Sequence, residues 1–194
     1  MKTNDILKIS FLVVIEAIFC FTPLGSIPIG PIVATLSLIP VIISSLVFGE
    51  KIGGLLGLVM AIFSLIVWTF IMSANPVAFI FTPFSEFAGY KGNFASLIIC
   101  FIPRILSGIT PAYVIKRFEN NSLYMDVIAS IIGSLTNTIL VMLFIFIFFR
   151  NEYEELMGNK ILILISMTIL TNGIPEAIVA GIVCPAVSRV LKKI

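Results

Sequence analysis

The stretch Phe101-Ile-Pro-Arg-Ile-Leu-Ser-Gly-Ile-Thr-Pro111 decides how this chain is read. It places Arg104 near the middle of an apolar run from about Phe94 to Ile115. A run of that length can cross a bilayer, for which about 20 residues suffice. An arginine at such depth costs at least about 2.5–3.5 kcal/mol on insertion scales. It therefore faces the protein interior, where an anion, a carbonyl or water must meet it.

The composition agrees with a membrane setting. Of 194 residues, 59% are hydrophobic and only 11% are charged, against roughly 25% charged in a soluble domain. An all-α integral membrane protein is expected, built as a single membrane domain over residues 1–194. Histidine is absent, which removes the commonest metal ligand and general base. Cys20, Cys100 and Cys184 lie in separate apolar runs with no CxxC spacing, so they read as small buried residues. The N-terminal run has no small-residue cleavage site before Pro23 and reads as a retained first helix. Neither a cofactor, a metal nor a nucleic-acid partner is expected.

Six apolar runs follow one another, at about 6–22, 32–48, 52–72, 94–115, 127–149 and 161–191. They predict a bundle of six transmembrane helices. The link from Pro23 to Pro31 holds three prolines and two glycines, which forbid helix there. Gly49-Glu-Lys51 is a minimal turn, and Trp68 is placed to anchor the third run at the interface. Gly53, Gly57 and Ala61, spaced by four, let two helix backbones approach closely. Basic residues set the orientation. With the N-terminus inside, Lys2, Lys8, Lys51, Lys116, Arg117, Arg189, Lys192 and Lys193 are cytoplasmic, and only Lys91, Arg150 and Lys160 are external. Both termini are thus expected in the cytoplasm.

Five polar side chains stand far from the ends of their runs: Glu16, Arg104, Asn137, Asn172 and Glu176. Opposite chain directions bring Arg104, Asn137 and Glu176 to a similar depth. One shared interior cluster explains them more simply than separate accidents. Asn172 and Glu176 share a helix face, with Thr168 one turn earlier. Pro175 leaves the carbonyl of Thr171 without its helical donor, so the helix should open there, as is tolerated where a cavity is lined. Two readings of this cluster stay open. Arg104 and Glu176 form a structural ion pair, or Arg104 meets a bound anion; likewise, Asn137 and Asn172 bridge helices or touch a ligand. Glu16 faces either the cluster or a partner protein.

The segment Ser73–Asn93 is the longest loop and carries Phe79, Phe81, Phe84, Phe87 and Tyr90. A loop of this length within a compact protein is usually functional; it covers a site or plugs it. Phe84 and Trp68 are candidate ligand contacts, and Lys91 is a second candidate for an anion. No GxxxxGK[ST], HExxH or GxSxG motif is present, so no catalytic residue and no use of ATP by this chain is expected. A structural membrane subunit and a stand-alone carrier using Glu176 as a proton site are the readings that compete with ligand capture.

Five stretches carry a family likeness: Gly25-Ser-Ile-Pro-Ile-Gly-Pro31, Phe48-Gly-Glu-Lys-Ile-Gly-Gly-Leu-Leu-Gly57, Pro103-Arg-Ile-Leu-Ser-Gly108, Gly133-Ser-Leu-Thr-Asn-Thr138 and Asn172-Gly-Ile-Pro-Glu-Ala177. Through them nearly the whole chain resembles an S-component, the substrate-binding membrane subunit of an energy-coupling factor (ECF) vitamin transporter. Among such subunits it is most similar to the pantothenate-specific members. The resemblance implies a multi-pass protein of a prokaryotic plasma membrane. It implies capture of a vitamin from outside, in a pocket formed by helices four to six. It also implies delivery by docking on a shared transmembrane coupling subunit with two ECF ATPases. Riboflavin, pyridoxine and folate are the alternative vitamins. Pantothenate offers a carboxylate for Arg104, and an amide and two hydroxyls for Asn137 and Asn172. The family docks through an AxxxA pattern in helix one. Here Ala17 has Val13 and Phe21 at those spacings, so Ala17 and Val13 mark the docking face by analogy only.

Overall fold

The computed structural model describes residues 3–22, 26–29, 32–119 and 122–193. The chain runs α1 (Thr3–Phe21), β1 (Ser26–Ile29), β2 (Ile32–Thr35), α2 (Leu38–Phe48) and α3 (Glu50–Ile66), which ends in a π-turn at Val67–Ile71. Then come α4 (Ala78–Phe81), β3 (Glu86–Phe87), β4 (Tyr90–Lys91), α5 (Phe94–Phe118), α6 (Leu123–Phe148) and α7 (Arg150–Met157). Helix α8 (Ile161–Thr168) passes through a second π-turn, Ile169–Gly173, into α9 (Ile174–Lys193). Among the described residues, four segments are long and apolar enough to cross a membrane: Glu50–Ile71, Phe94–Phe118, Leu123–Phe148 and Ile161–Lys193. The protein is a helical membrane protein.

The second expected run is corrected at its start. Residues 32–35 are a strand paired antiparallel with 26–29, with Ile29 opposite Ile32, and helix begins only at Leu38. Ile32, Val33 and Thr35 are β-branched and favour extended backbone. Pro23, Leu24, Gly25, Gly30 and Pro31 of the proline-rich link lie outside the described residues. Pro40 falls in the first turn of α2, where a missing N–H costs little.

Helix α2 is the central stave. It packs against α1, α3, α5, α6 and α9, and residues 40–46 are all buried. A helix that is mostly apolar all round suits either lipid or a protein interior, and the helices packed around α2 put it in the interior. Beside it, α3 and α5 cross at glycines. Gly53 lies on the carbonyl of Gly108, and Gly57 lies on the carbonyl of Arg104, so closely that a Cβ at either would overlap that oxygen. The crossing fixes the height and rotation of α5 at Arg104.

Two packed cores lie along the bundle. One joins α1, α2, α3 and α9, with the last turns of α5 and the first turns of α6, around Leu12, Val41, Ile42, Leu56 and Cys184. At that end Asp126, 2% exposed, pairs with Arg189 (3.0 Å) and Lys192 (3.9 Å), so an acid in the first turn of α6 meets bases in the last turns of α9. The other core gathers Trp68, Phe79, Phe81, Ile99, Met142, Ile145 and Tyr153. The long loop thus enters the protein instead of lying over it: Phe79 and Ile80 are 0% exposed. Ser96 Oγ donates to the Phe79 carbonyl (2.7 Å), and the hydroxyls of Thr69 and Thr82 share a hydrogen bond (2.7 Å).

The corner between α7 and α8 is closed by Glu154, whose carboxylate accepts the Ile161 N–H (2.9 Å) and pairs with Arg150 (3.3 Å). The Ile161 N–H, and after it Arg150, hold this carboxyl below the ordinary range.

Gly57→Ala should lower stability by about 1–3 kcal/mol, because the added carbon must push α5 away. Gly54→Ala should lose much less, since its Cβ meets only the flexible Ile109 side chain at 3.0 Å. Thermal unfolding in detergent separates them.

Because Glu154 is depressed in the folded state, its contribution is complete above the ordinary carboxylate range and is lost as pH falls through the depressed value. Glu154→Gln should therefore lose less stability than the wild type between about pH 6 and pH 3, read from the same melts.

Candidate functional site

Arg104 is held by what its neighbour lacks. Pro103 has no N–H, so the carbonyl of Ile99 loses its helical partner. The Arg104 guanidinium donates an Nη1 hydrogen to that carbonyl at 2.8 Å. The guanidinium carbon also stands 5.5 Å from the centre of the Phe81 ring, a cation–π distance. Arg104 is 6% exposed, and its Nε has no hydrogen-bond partner among the described residues.

The arginine borders a cavity of about 730 Å³, its open mouth included. The polar wall is made by Arg104, Asn137, Thr138, Thr168, Asn172 and Glu176. Val67, Trp68, Met72, Phe81, Val141 and Met142 make the apolar wall, while Cys20, Ser37 and Ser64 complete the lining. Trp68 and Phe81 are stacked, with centroids 4.7 Å apart at 19°. The cavity lies toward the end of the bundle away from Thr3 and Lys193: Cys20 and Trp68 close helices that rise to it, and Ser37 opens one that descends from it.

Both π-turns serve the cavity. The second carries Asn172, 3% exposed, whose Oδ1 is 2.6 Å from the Thr171 hydroxyl. Gly173 lets this turn lie on Thr138, which a Cβ would meet at 3.1 Å. The expected opening before Pro175 is therefore real, and it takes the form of an Ile174 N–H reaching back to Ile169 O. The first turn carries Trp68.

Two further buried atoms on the polar wall, Asn137 Oδ1 and Thr168 Oγ1, have no hydrogen-bond partner among the described residues. Buried polar atoms are almost always satisfied. A cavity that leaves an N–H donor, a carbonyl acceptor and a hydroxyl open along one wall has the chemistry of a binding site for a polar anion.

Of the residues singled out in the sequence, Arg104, Asn137, Asn172, Glu176 and Trp68 come together here. Two do not. Phe84 is 75% exposed and outside the lining, and Lys91 is an exposed side chain paired with Glu86 at 3.1 Å. The loop contributes Phe81 instead, because the short helix α4 turns residues 78–81 inward as a block. Trp68 is not an interfacial anchor; it is 7% exposed and stacked inside. Sequence reasoning did not count Thr138, Val141, Met142 or Thr168 as site residues. Thr138 and Thr168 stood next to or one turn from named ones, and that spacing was the available signal.

Glu16 stays off the lining. It is 0% exposed, and neither carboxylate oxygen has a partner among the described residues; Cys20, one turn on, lines the cavity. Of the expected docking pair on α1, Val13 packs against the bundle's own core and Ala17 is half-buried. The exposed side of that helix is instead Phe11, Val14, Ile18 and Phe21.

Residues 4–188 match the family model described as ECF transporter, substrate-specific component. The pantothenic acid transporter PanT of Lactococcus lactis subsp. cremoris (strain MG1363) is 37% identical over 164 residues, which cover 84% of this chain and 80% of that relative. A match through all the elements that line the cavity, from α1 to α9, is a match of the site-bearing bundle itself: the chain belongs to the family of substrate-specific components of ECF transporters.

Proposed function

We propose that this chain is the S-component that captures pantothenate from outside the cell and delivers it inward. The observation that carries the reading is the row of open hydrogen-bonding atoms, Arg104 Nε, Asn137 Oδ1 and Thr168 Oγ1, buried around one cavity. The similarity to a pantothenic acid transporter supplies the vitamin. The carboxylate of pantothenate meets Arg104 in a charge-assisted hydrogen bond. Its amide N–H or a hydroxyl donates to Asn137, and another oxygen accepts from Thr168. The methyl groups of its branched carbon lie against Val141 and Met142. Trp68 and Phe81 shape the apolar wall, and Phe81 also faces the guanidinium.

The reading includes six spans, with α1 and the segment from β2 through α2 added to the four long ones. It places both termini in the cytoplasm of a prokaryotic cell, on the distribution of basic residues. The cavity then opens outward. The chain has no ATP-binding motif of the Walker type. Transport is driven by two ECF ATPases through a transmembrane coupling subunit, with which this domain docks after loading.

The test is equilibrium binding of pantothenate to the isolated protein in detergent, without ATP or partners. Binding is expected, together with a drop of about 100-fold or more for Arg104→Gln, the loss typical when one partner of a buried charge pair is removed. A folded protein that binds riboflavin, pyridoxine or folate in its place, or none of these, defeats the assignment. So does an Arg104→Gln variant of undiminished affinity.

A further inference from the structure

The cavity wall carries one fixed cation and one acid. Arg104 and Glu176 both line it, at 6% and 9% exposure. A guanidinium keeps its proton in any protein setting, so the positive charge is permanent. In the empty cavity an ionised Glu176 carboxylate balances it. A captured acid anion upsets that balance. Arg104 offsets one negative charge, and its Nη1 is already committed to the Ile99 carbonyl. Two carboxylates around one buried cation leave a net negative charge away from water, which is costly. Where two carboxyls share such a site, one of them holds a proton.

No other group on the wall can take that proton up. Among the described residues, the one further titratable side chain on the lining is the Cys20 thiol of α1, and a thiol is neutral already below about pH 8. The elements packed against α9 add none at this level. Helix α2 and the π-turn before α9 carry no ionisable side chain. Tyr124 and Asp126 stand at the start of α6, at the other end of the bundle, where Asp126 pairs with Arg189 and Lys192. Lys8 of α1 reaches the Leu191 carbonyl at that same end. Glu16 is buried off the lining, one turn before Cys20.

We propose that Glu176 is the proton acceptor of ligand capture: as an acid anion enters and faces Arg104, the Glu176 carboxylate takes up one proton from the solvent. The new O–H bond gives the wall a donor aimed at a ligand oxygen. The loaded cavity then carries the same net charge as the empty one. The inference deepens the proposed function and rests on it.

Calorimetric titration of pantothenate into the detergent-solubilised protein tests it, in buffers of different ionisation enthalpy between about pH 6 and pH 8, where the free ligand is ionised. Buffer dependence of the heat reads proton uptake directly. Uptake of up to one proton is expected in the wild type, with affinity falling as pH rises by at most about tenfold per pH unit. Glu176→Gln should bind with no uptake and a flat pH profile. Glu16→Gln should keep both the uptake and the slope. Difference infrared spectra with carbon-13 carboxylate pantothenate locate the proton: an acid C=O band that ignores the label is Glu176. Zero uptake in the wild type across that range, uptake retained in Glu176→Gln or lost in a folded Glu16→Gln protein, a folded Glu176→Gln protein that binds at no pH, or an acid band that moves with the label would each overturn the proposal. If the wild type binds pantothenate without uptake, this inference alone fails; if it binds none, the assignment of the ligand fails with it.

Discussion

The hydrogen bond from the Arg104 guanidinium to the carbonyl of Ile99 is the contact on which the site depends. One residue opens a vacancy in the helix ladder and the next fills it. Pro103 removes the donor that Ile99 would have used, and a buried carbonyl must find another. The guanidinium supplies it and is thereby fixed in direction, with an aromatic face on one side. A carbonyl and a ring hold a cation without cancelling its charge. Of the rest of the fork, the Nε–H is buried and has no hydrogen-bond partner among the described residues.

The backbone carries that arrangement at the right height. Arg104 offers its own carbonyl to Gly57, where no side chain intervenes, so the position of α5 is set by contact with α3 and not by the arginine. The helix is also anchored at its start, where Asn93 and Ser96 form a reciprocal cap and Ser96 holds Phe79. The cavity lies where the two cores do not close on each other. Trp68, Val141 and Met142 belong to the core built on the long loop; Cys20 belongs to the one around α2. Groups as polar as Arg104 and Asn137 at that junction prevent either core from filling it, because packing an apolar side chain over them would strand them.

The polar half of this site was legible because charge and amide in an apolar run are costly enough to need a reason. Arg104, Asn137, Asn172 and Glu176 announce themselves that way. The apolar half was not. Valine and methionine at 141 and 142 are indistinguishable in sequence from their lipid-facing neighbours, since a bilayer and a core demand the same composition. The loop misled for a related reason. Its phenylalanines have no period that tells an inward ring from an outward one, so Phe84 looked as good as Phe81 until α4 settled which four residues turn in together. The strand at 32–35 was hidden by its hydrophobicity, which serves a hairpin as well as a helix.

The two π-turns show where sequence causes end. At Ile169–Gly173 the cause is local. Pro175 has no N–H to give, Gly173 admits the close approach of Thr138, and the ladder widens so that Ile174 bonds to Ile169. At Val67–Ile71 no proline or glycine intervenes, yet Met72 N–H reaches Val67 O at 2.8 Å. The forces there are tertiary. Trp68 stacks on Phe81, and Thr69 bonds to Thr82, so the inserted loop draws two successive residues of α3 toward itself. Side chains one apart on a helix point about 100° apart, and widening the turn eases the demand that both engage one neighbour. The same backbone solution thus arises once from chain chemistry and once from packing, and in each case it delivers a cavity side chain, Asn172 or Trp68.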